Sequence, residues 1–141
     1  MSGAAPMGRG IPLSVVLVVE DEAVIRMILV DELEDAGFAV VGADGADAAV
    51  AVFAGRSDIG AVVTDVRMPG SMDGLGLARW MREHAPAVPI IITSGFVATH
   101  DVAAINPAIA RVVAKPYVSR DIVGWVATLV GRTGDAEGVS R

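Results

Sequence analysis

Five short runs of apolar, largely β-branched residues recur along the chain, at residues 14–19, 38–43, 59–64, 88–93 and 109–114. Most are continuously apolar rather than alternating, which is the pattern of strands buried on both faces. Segments with helical spacing lie between and after them. Residues 22–36 place Ile25, Ile28, Leu29, Leu33 and Ala36 on one stripe, and Gly37 stands where a helix C-terminal glycine belongs. Residues 46–53 follow Asp44 as an expected N-cap, and Asp73 is positioned to cap a helix through residue 83. A short helix is expected at 99–105, ended by Pro107, and Ser119 is expected to cap a last helix to residue 130 with Ile122, Val126 and Leu129 as its core stripe. Strands alternating with helices imply an α/β protein, a doubly wound five-stranded parallel sheet with helices on both faces. Right-handed crossovers then restrict the topology.

A chain of 141 residues is the size of one domain. Residues 14–131 are expected to form it, with flexible tails at 1–13 and 132–141. The apolar stretch after Arg9 loosely mimics the core of a signal peptide, but Glu20-Asp21-Glu22 follows where a cleavage site should be. No run approaches the ~18 apolar residues of a membrane span. The net charge of −6 and the lack of a basic stripe argue against nucleic acid as a partner. With no cysteine there is no disulfide, thiolate metal site or thiol nucleophile, as suits a cytoplasmic protein.

Ligands of such sheets bind at the C-terminal ends of the strands. Glu20 and Asp21 follow the first strand, Asp65 the third, Ser94 the fourth and Lys115 the fifth. Three converging carboxylates repel one another unless a cation sits among them. Mg²⁺ suits an all-oxygen set, with Asp21 and Asp65 as direct ligands and Glu20 acting through a water. A carboxylate beside the metal can be a nucleophile that forms an acyl phosphate. Lys115 would stabilise charge on the moving phosphoryl group, and the Ser94 hydroxyl would hydrogen-bond it. Each residue also has an ordinary reading. Asp65 or the Glu20-Asp21 pair would serve as helix caps, Ser94 as a turn residue with Thr93 as rival hydroxyl, and Lys115 as a solvated lysine.

Four blocks carry a resemblance. They are Val18-Val19-Glu20-Asp21-Glu22, Val63-Thr64-Asp65-Val66-Arg67-Met68-Pro69, Ile92-Thr93-Ser94-Gly95 and Lys115-Pro116-Tyr117. In order and placement they resemble the signature blocks of response-regulator receiver domains, over residues 15–130. The resemblance implies a flavodoxin-like three-layer sandwich with strand order 2-1-3-4-5. It implies that Asp65 accepts a phosphoryl group from a histidine on a sensor kinase or phosphotransfer protein. Mg²⁺ would be bound by Asp21, Asp65 and the backbone carbonyl of Arg67, with Glu20 in the outer shell. Ser94 would be the switch hydroxyl and Lys115 the phosphate-binding lysine. The Lys115–Pro116 bond would be cis. The family pattern selects Ser94 over Thr93.

Departures from the family pattern are equally specific. Val112 occupies the position of the usual switch aromatic, three residues before Lys115. The loop carrying Gly70-Ser71 is one residue longer than the common form. Arg67 and Phe96 stand two residues after Asp65 and Ser94, where side chains line access to the phosphoryl group. Phe96, in the 95–99 loop, is a candidate switch element and solvent shield. No effector module is expected after Val130, so output is expected through contacts with a downstream protein. A relay, a phosphate sink and a phosphorylation-independent binding module are the alternatives.

Other features point elsewhere or nowhere. Gly74-Leu75-Gly76 is an incomplete phosphate-loop pattern. His84 and His100 read as surface residues, and Trp80 and Trp125 as packing residues. Val24, Met27 and Val30 widen the first helix beyond one stripe and mark a possible contact face. An aspartate-nucleophile phosphatase needs an acid at position 67, where arginine stands. A flavodoxin-type flavin site needs phosphate donors in the first loop, where three acids stand.

Overall fold

The computed structural model describes residues 15–95 and 102–131. The expected tails, Ser14, the start of the 99–105 helix, Phe96 and His100 lie outside the described residues. Strands β1 (Val15–Val19), β2 (Ala39–Ala43), β3 (Ile59–Asp65), β4 (Ile90–Ser94) and β5 (Ile109–Ala114) form one parallel sheet in the order β2-β1-β3-β4-β5. The helices are α1 (Ala23–Asp35), α2 (Ala46–Gly55), α3 (Gly74–His84), α4 (Val102–Ile105) and α5 (Ser119–Leu129).

Strand alternation divides the core in two. Leu17, Val19, Val62, Ile90 and Ile92 face α2 and α3, packing on Ala49, Leu77 and Met81. Val16, Val18, Val63 and Ile91 face the other way, onto Leu29 and Leu33 of α1 and Ile122 and Val126 of α5. Both faces of β1, β3 and β4 are therefore buried, which is why their sequences are continuously apolar.

Local chemistry sets the element ends. Asp73 caps α3, its carboxylate accepting from the Gly76 amide at 2.8 Å. β4 begins at Ile90 rather than at 88, since Pro89 has no N–H to give the ladder. Two expected caps are not formed. Gly45, not Asp44, is the N-cap of α2 and makes no side-chain bond, because the helix starts at Ala46. Ser119 is the first residue of α5 rather than its cap, and Val118 precedes it without a capping bond. The stripe of α1 is also narrower than its spacing suggests. Leu29 and Leu33 are buried, whereas Ile28 is 47% exposed. Among the described residues no helix is long and apolar enough to cross a membrane.

Candidate functional site

The C-terminal edge of the sheet gathers the acidic groups. Glu20 follows β1, Asp65 ends β3, and each offers an oxygen, with Asp21, such that the three lie within 4.8 Å of one another. Glu20 and Asp65 are buried, at 2% and 7% exposure, and Asp21 is half-buried. This donor set fits a hard divalent cation, since it is all oxygen and carries more negative charge than its surroundings neutralise.

Lys115 supplies the compensating positive charge. It follows β5, and its backbone amide donates to the Ser94 carbonyl at 2.8 Å, which ties it to the end of β4. Its Nζ donates to Asp65 Oδ2 at 2.9 Å and lies 3.6 Å from Glu20 Oε1. Burial by itself would lower the Lys115 pKa, but the hydrogen bond and charge of Asp65, then the charge of Glu20, outweigh it and hold the ammonium above its ordinary range. Burial pushes the Glu20 carboxyl up. The Glu22 amide and Lys115 oppose that rise, and Asp65 adds to it. The Lys115–Pro116 peptide is cis.

Glu20 is held in place by its own neighbourhood. Its Oε2 accepts from the Glu22 amide at 3.0 Å, and its carbonyl accepts from Arg26 Nη1 at 2.7 Å. It does not cap α1, whose N-cap Glu22 has no side-chain bond. Ser94 is buried at the end of β4, beside the equally buried Thr93. Arg67 lies exposed in the loop after Asp65, with Val66, Met68, Pro69 and Asp73 lining the hollow next to it. The extra loop residue is fastened down. Gly70 takes φ +110°, and Ser71 Oγ reaches both carboxylate oxygens of Asp47 on α2, at 3.1 and 3.2 Å.

Two residues that sequence reasoning passed over belong to this site. Gly74, at the start of α3, lies against the backbone of Asp65 so closely that a Cβ there would overlap the Asp65 carbonyl. Its amide also donates to the Val66 carbonyl at 2.9 Å. The sequence signal for it is Asp73-Gly74, a cap residue followed directly by a glycine at the start of α3. Tyr117 is the second. It shares with Lys115, Ile25, Ile28 and Leu29 a cleft of about 440 Å³.

A parallel sheet of this order, with three acids and a lysine at one edge, is a receiver-type architecture, and comparison with known proteins agrees on the family. The profile described as response regulator receiver domain matches residues 16–127. The chain belongs to that family. It is 35% identical over 113 residues to the response regulator protein FleR of Pseudomonas aeruginosa, covering 79% of this chain and 24% of FleR. It is 32% identical over 120 residues to the response regulator receiver protein CpdR of Brucella abortus, covering 82% of this chain and 95% of CpdR. It thus spans about a quarter of one relative and nearly all of the other. Among solved structures, the response regulator TrrA of Thermotoga maritima, in complex with Mg²⁺ and BeF, superposes with a TM-score of 0.71 at 26% identity, covering 82% of this chain and 98% of that one. Receivers of this family serve two-component systems, with histidine kinases or phosphotransfer proteins as partners, and bind Mg²⁺ at an acidic cluster.

Proposed function

We propose that this chain is a receiver that takes a phosphoryl group onto Asp65 in a Mg²⁺-dependent reaction and signals through phosphorylation-dependent protein contacts. The observation that carries this reading is the 2.9 Å bond from Lys115 to an Asp65 carboxylate that also lies within 4.8 Å of Glu20 and Asp21. One group thereby faces both a cation-binding set and a fixed ammonium.

In the proposed reaction an Asp65 carboxylate oxygen attacks the phosphorus of a phosphohistidine on the donor. The P–O bond to Asp65 forms as the P–N bond breaks, and the imidazole leaves and takes up a proton. Mg²⁺, when bound, would supply charge stabilisation for the phosphoryl oxygens. Asp21, Asp65 and the Arg67 carbonyl would hold it, with Glu20 acting through water. Lys115 neutralises a phosphoryl oxygen, and the Ser94 hydroxyl hydrogen-bonds another. Acceptance and loss of this group are the chain's only chemistry in this reading, so it is a signalling module rather than a turnover enzyme. Arg67, exposed two residues after Asp65, is no general acid for monoester hydrolysis.

Two observations support the partner reading. Val24, Met27 and Ile28 of α1 and Val118, just before α5, are 64%, 55%, 47% and 55% exposed, and Ile28 lines the cleft beside Lys115. Surfaces of this kind are usually covered by a protein partner. The alignment takes in 95% of the receiver protein CpdR, a relative made almost wholly of this domain. Such a protein works in the cytoplasm, with its kinase. The test is treatment with phosphoramidate and Mg²⁺ followed by hydroxylamine. A phosphoryl label that requires Mg²⁺ and is released by hydroxylamine, as an acyl phosphate is, supports the reading. A label stable to hydroxylamine places the phosphate elsewhere than on a carboxylate and rejects it.

A further inference from the structure

Arg26, half-buried near the start of α1, reaches back to the turn that carries two of the three acids. Its Nη1 donates to the Glu20 carbonyl at 2.7 Å, a short bond of the charge-assisted kind. That carbonyl belongs to the peptide joining Glu20 to Asp21, so the guanidinium grips the link between two members of the acidic cluster. Lys115 pairs with the carboxylates of Glu20 and Asp65, whereas among the described residues Arg26 makes its bond to the main chain.

The turn depends on holds of this sort, because α1 has no side-chain cap and Glu22, at its N-cap, makes no capping bond. The Glu20 amide donates to the Ala43 carbonyl of β2 at 3.0 Å, and the Glu22 amide to Glu20 Oε2 at 3.0 Å. The Arg26 bond fixes the peptide between them, on the N-terminal side of Asp21.

β2 supplies the path for the side chain. A Cβ built at Gly42 would lie 3.3 Å from Arg26 Cδ, 3.5 Å from its Cγ and 3.7 Å from Val30 Cγ2. The stem of Arg26 therefore runs beside the space that Gly42 leaves. Gly42 pairs with Val18 of β1, two residues before Glu20. It is not among the glycines with positive φ, and a strand position favours a β-branched residue. Backbone conformation does not call for glycine at 42, and room for Arg26 does.

We infer that Arg26, passing beside Gly42, is a positioning residue that holds the Glu20–Asp21 turn in the geometry that takes up Mg²⁺. This rests on the Mg²⁺ site of the reading above. Charge and positioning act on that site with opposite signs. A guanidinium near an acidic cluster repels a divalent cation, so through charge alone its removal tightens Mg²⁺ binding. As a support for the turn its removal weakens binding, as loss of the groups that orient metal ligands does.

The experiment titrates Mg²⁺ into the full chain, into Arg26→Ala, into Gly42→Val and into the double variant, followed by backbone amide chemical shifts. Arg26→Ala should bind Mg²⁺ about 10-fold more weakly than the native chain. Gly42→Val alters no charge and should weaken binding in the same direction, by displacing the Arg26 stem. Added to Arg26→Ala, it should cost nothing further, since both changes act through one side chain. Equal or tighter binding by Arg26→Ala overturns the inference and leaves the Mg²⁺ site standing. Losses that add in the double variant assign the Gly42 effect to the strand and also overturn it. Should Arg26→Ala fail to fold, Gly42→Val decides, and native affinity in that variant overturns the inference. Absence of Mg²⁺ binding by the native chain overturns both the inference and the site on which it rests.

Discussion

Lys115 and Asp65, fifty residues apart in sequence, are joined by a 2.9 Å hydrogen bond from Nζ to Oδ2 at the C-terminal edge of the sheet. The ammonium thus occupies the side of the carboxylate cluster from which it shields Asp65 and Glu20 from one another. A divalent cation binding those carboxylates competes with it for the same negative charge.

Removal of the lysine separates these roles. Lys115→Met leaves the acids uncompensated, and the ligand-free protein should lose about 1–3 kcal/mol of stability. Mg²⁺ affinity should rise, because the competing cation is gone. Urea unfolding and a Mg²⁺ titration of the variant check the two halves. Unchanged Mg²⁺ affinity would place the metal away from Lys115.

The same pair gives a signature at alkaline pH. Lys115 is held above its ordinary value of 10.5, burial being outweighed by Asp65 and Glu20. Its folded pKa therefore exceeds its unfolded one. The stabilisation is complete below about 10.5 and is lost as pH rises through the folded value. Urea midpoints followed from pH 9 to about 11.5 should fall more steeply for the native chain than for Lys115→Met. Parallel curves would contradict the assignment.

Gly74 sets the position of Asp65 from the opposite element. A Cβ at Gly74 would overlap the Asp65 carbonyl and lie 2.9 Å from the Asp65 carbonyl carbon, and backbone cannot give way cheaply. Gly74→Ala should cost about 3 kcal/mol or more, at the upper end of overpacking. At Gly76 the added methyl would meet Met72 Cγ, on a flexible side chain, and helix propensity favours alanine. Gly76→Ala should fall within about 1 kcal/mol of the native stability. Chemical denaturation of the two variants measures the contrast, and equal costs would refute the packing argument.

Much of this was legible in the sequence because burial on both faces leaves an unbroken apolar signal. β1, β3 and β4 are such strands, and their ends located Glu20, Asp65 and Ser94. Asp73 was legible as a cap for the same reason that it works, an acid one residue before a helical stripe. Asp44 offered the same cue and failed, because α2 starts one residue later, after Gly45. Ser119 failed because a helix-favouring backbone begins at the serine itself. Ile28 fits the periodicity of α1 but lies at the edge of its buried face, which periodicity alone cannot resolve. Gly74 and Tyr117 were missed because their importance lies in contacts across the fold, the backbone of Asp65 for one and the cleft against α1 for the other.

The central claim is that Asp65 is the phosphoacceptor, and intact mass measured after incubation with acetyl phosphate and Mg²⁺ tests it most directly. The native chain should gain a single phosphoryl group only when Mg²⁺ is present, and Asp65→Asn should gain none. Equal phosphorylation of the Asp65→Asn variant, or a failure of the native chain both to take up phosphate and to bind Mg²⁺, would contradict the account.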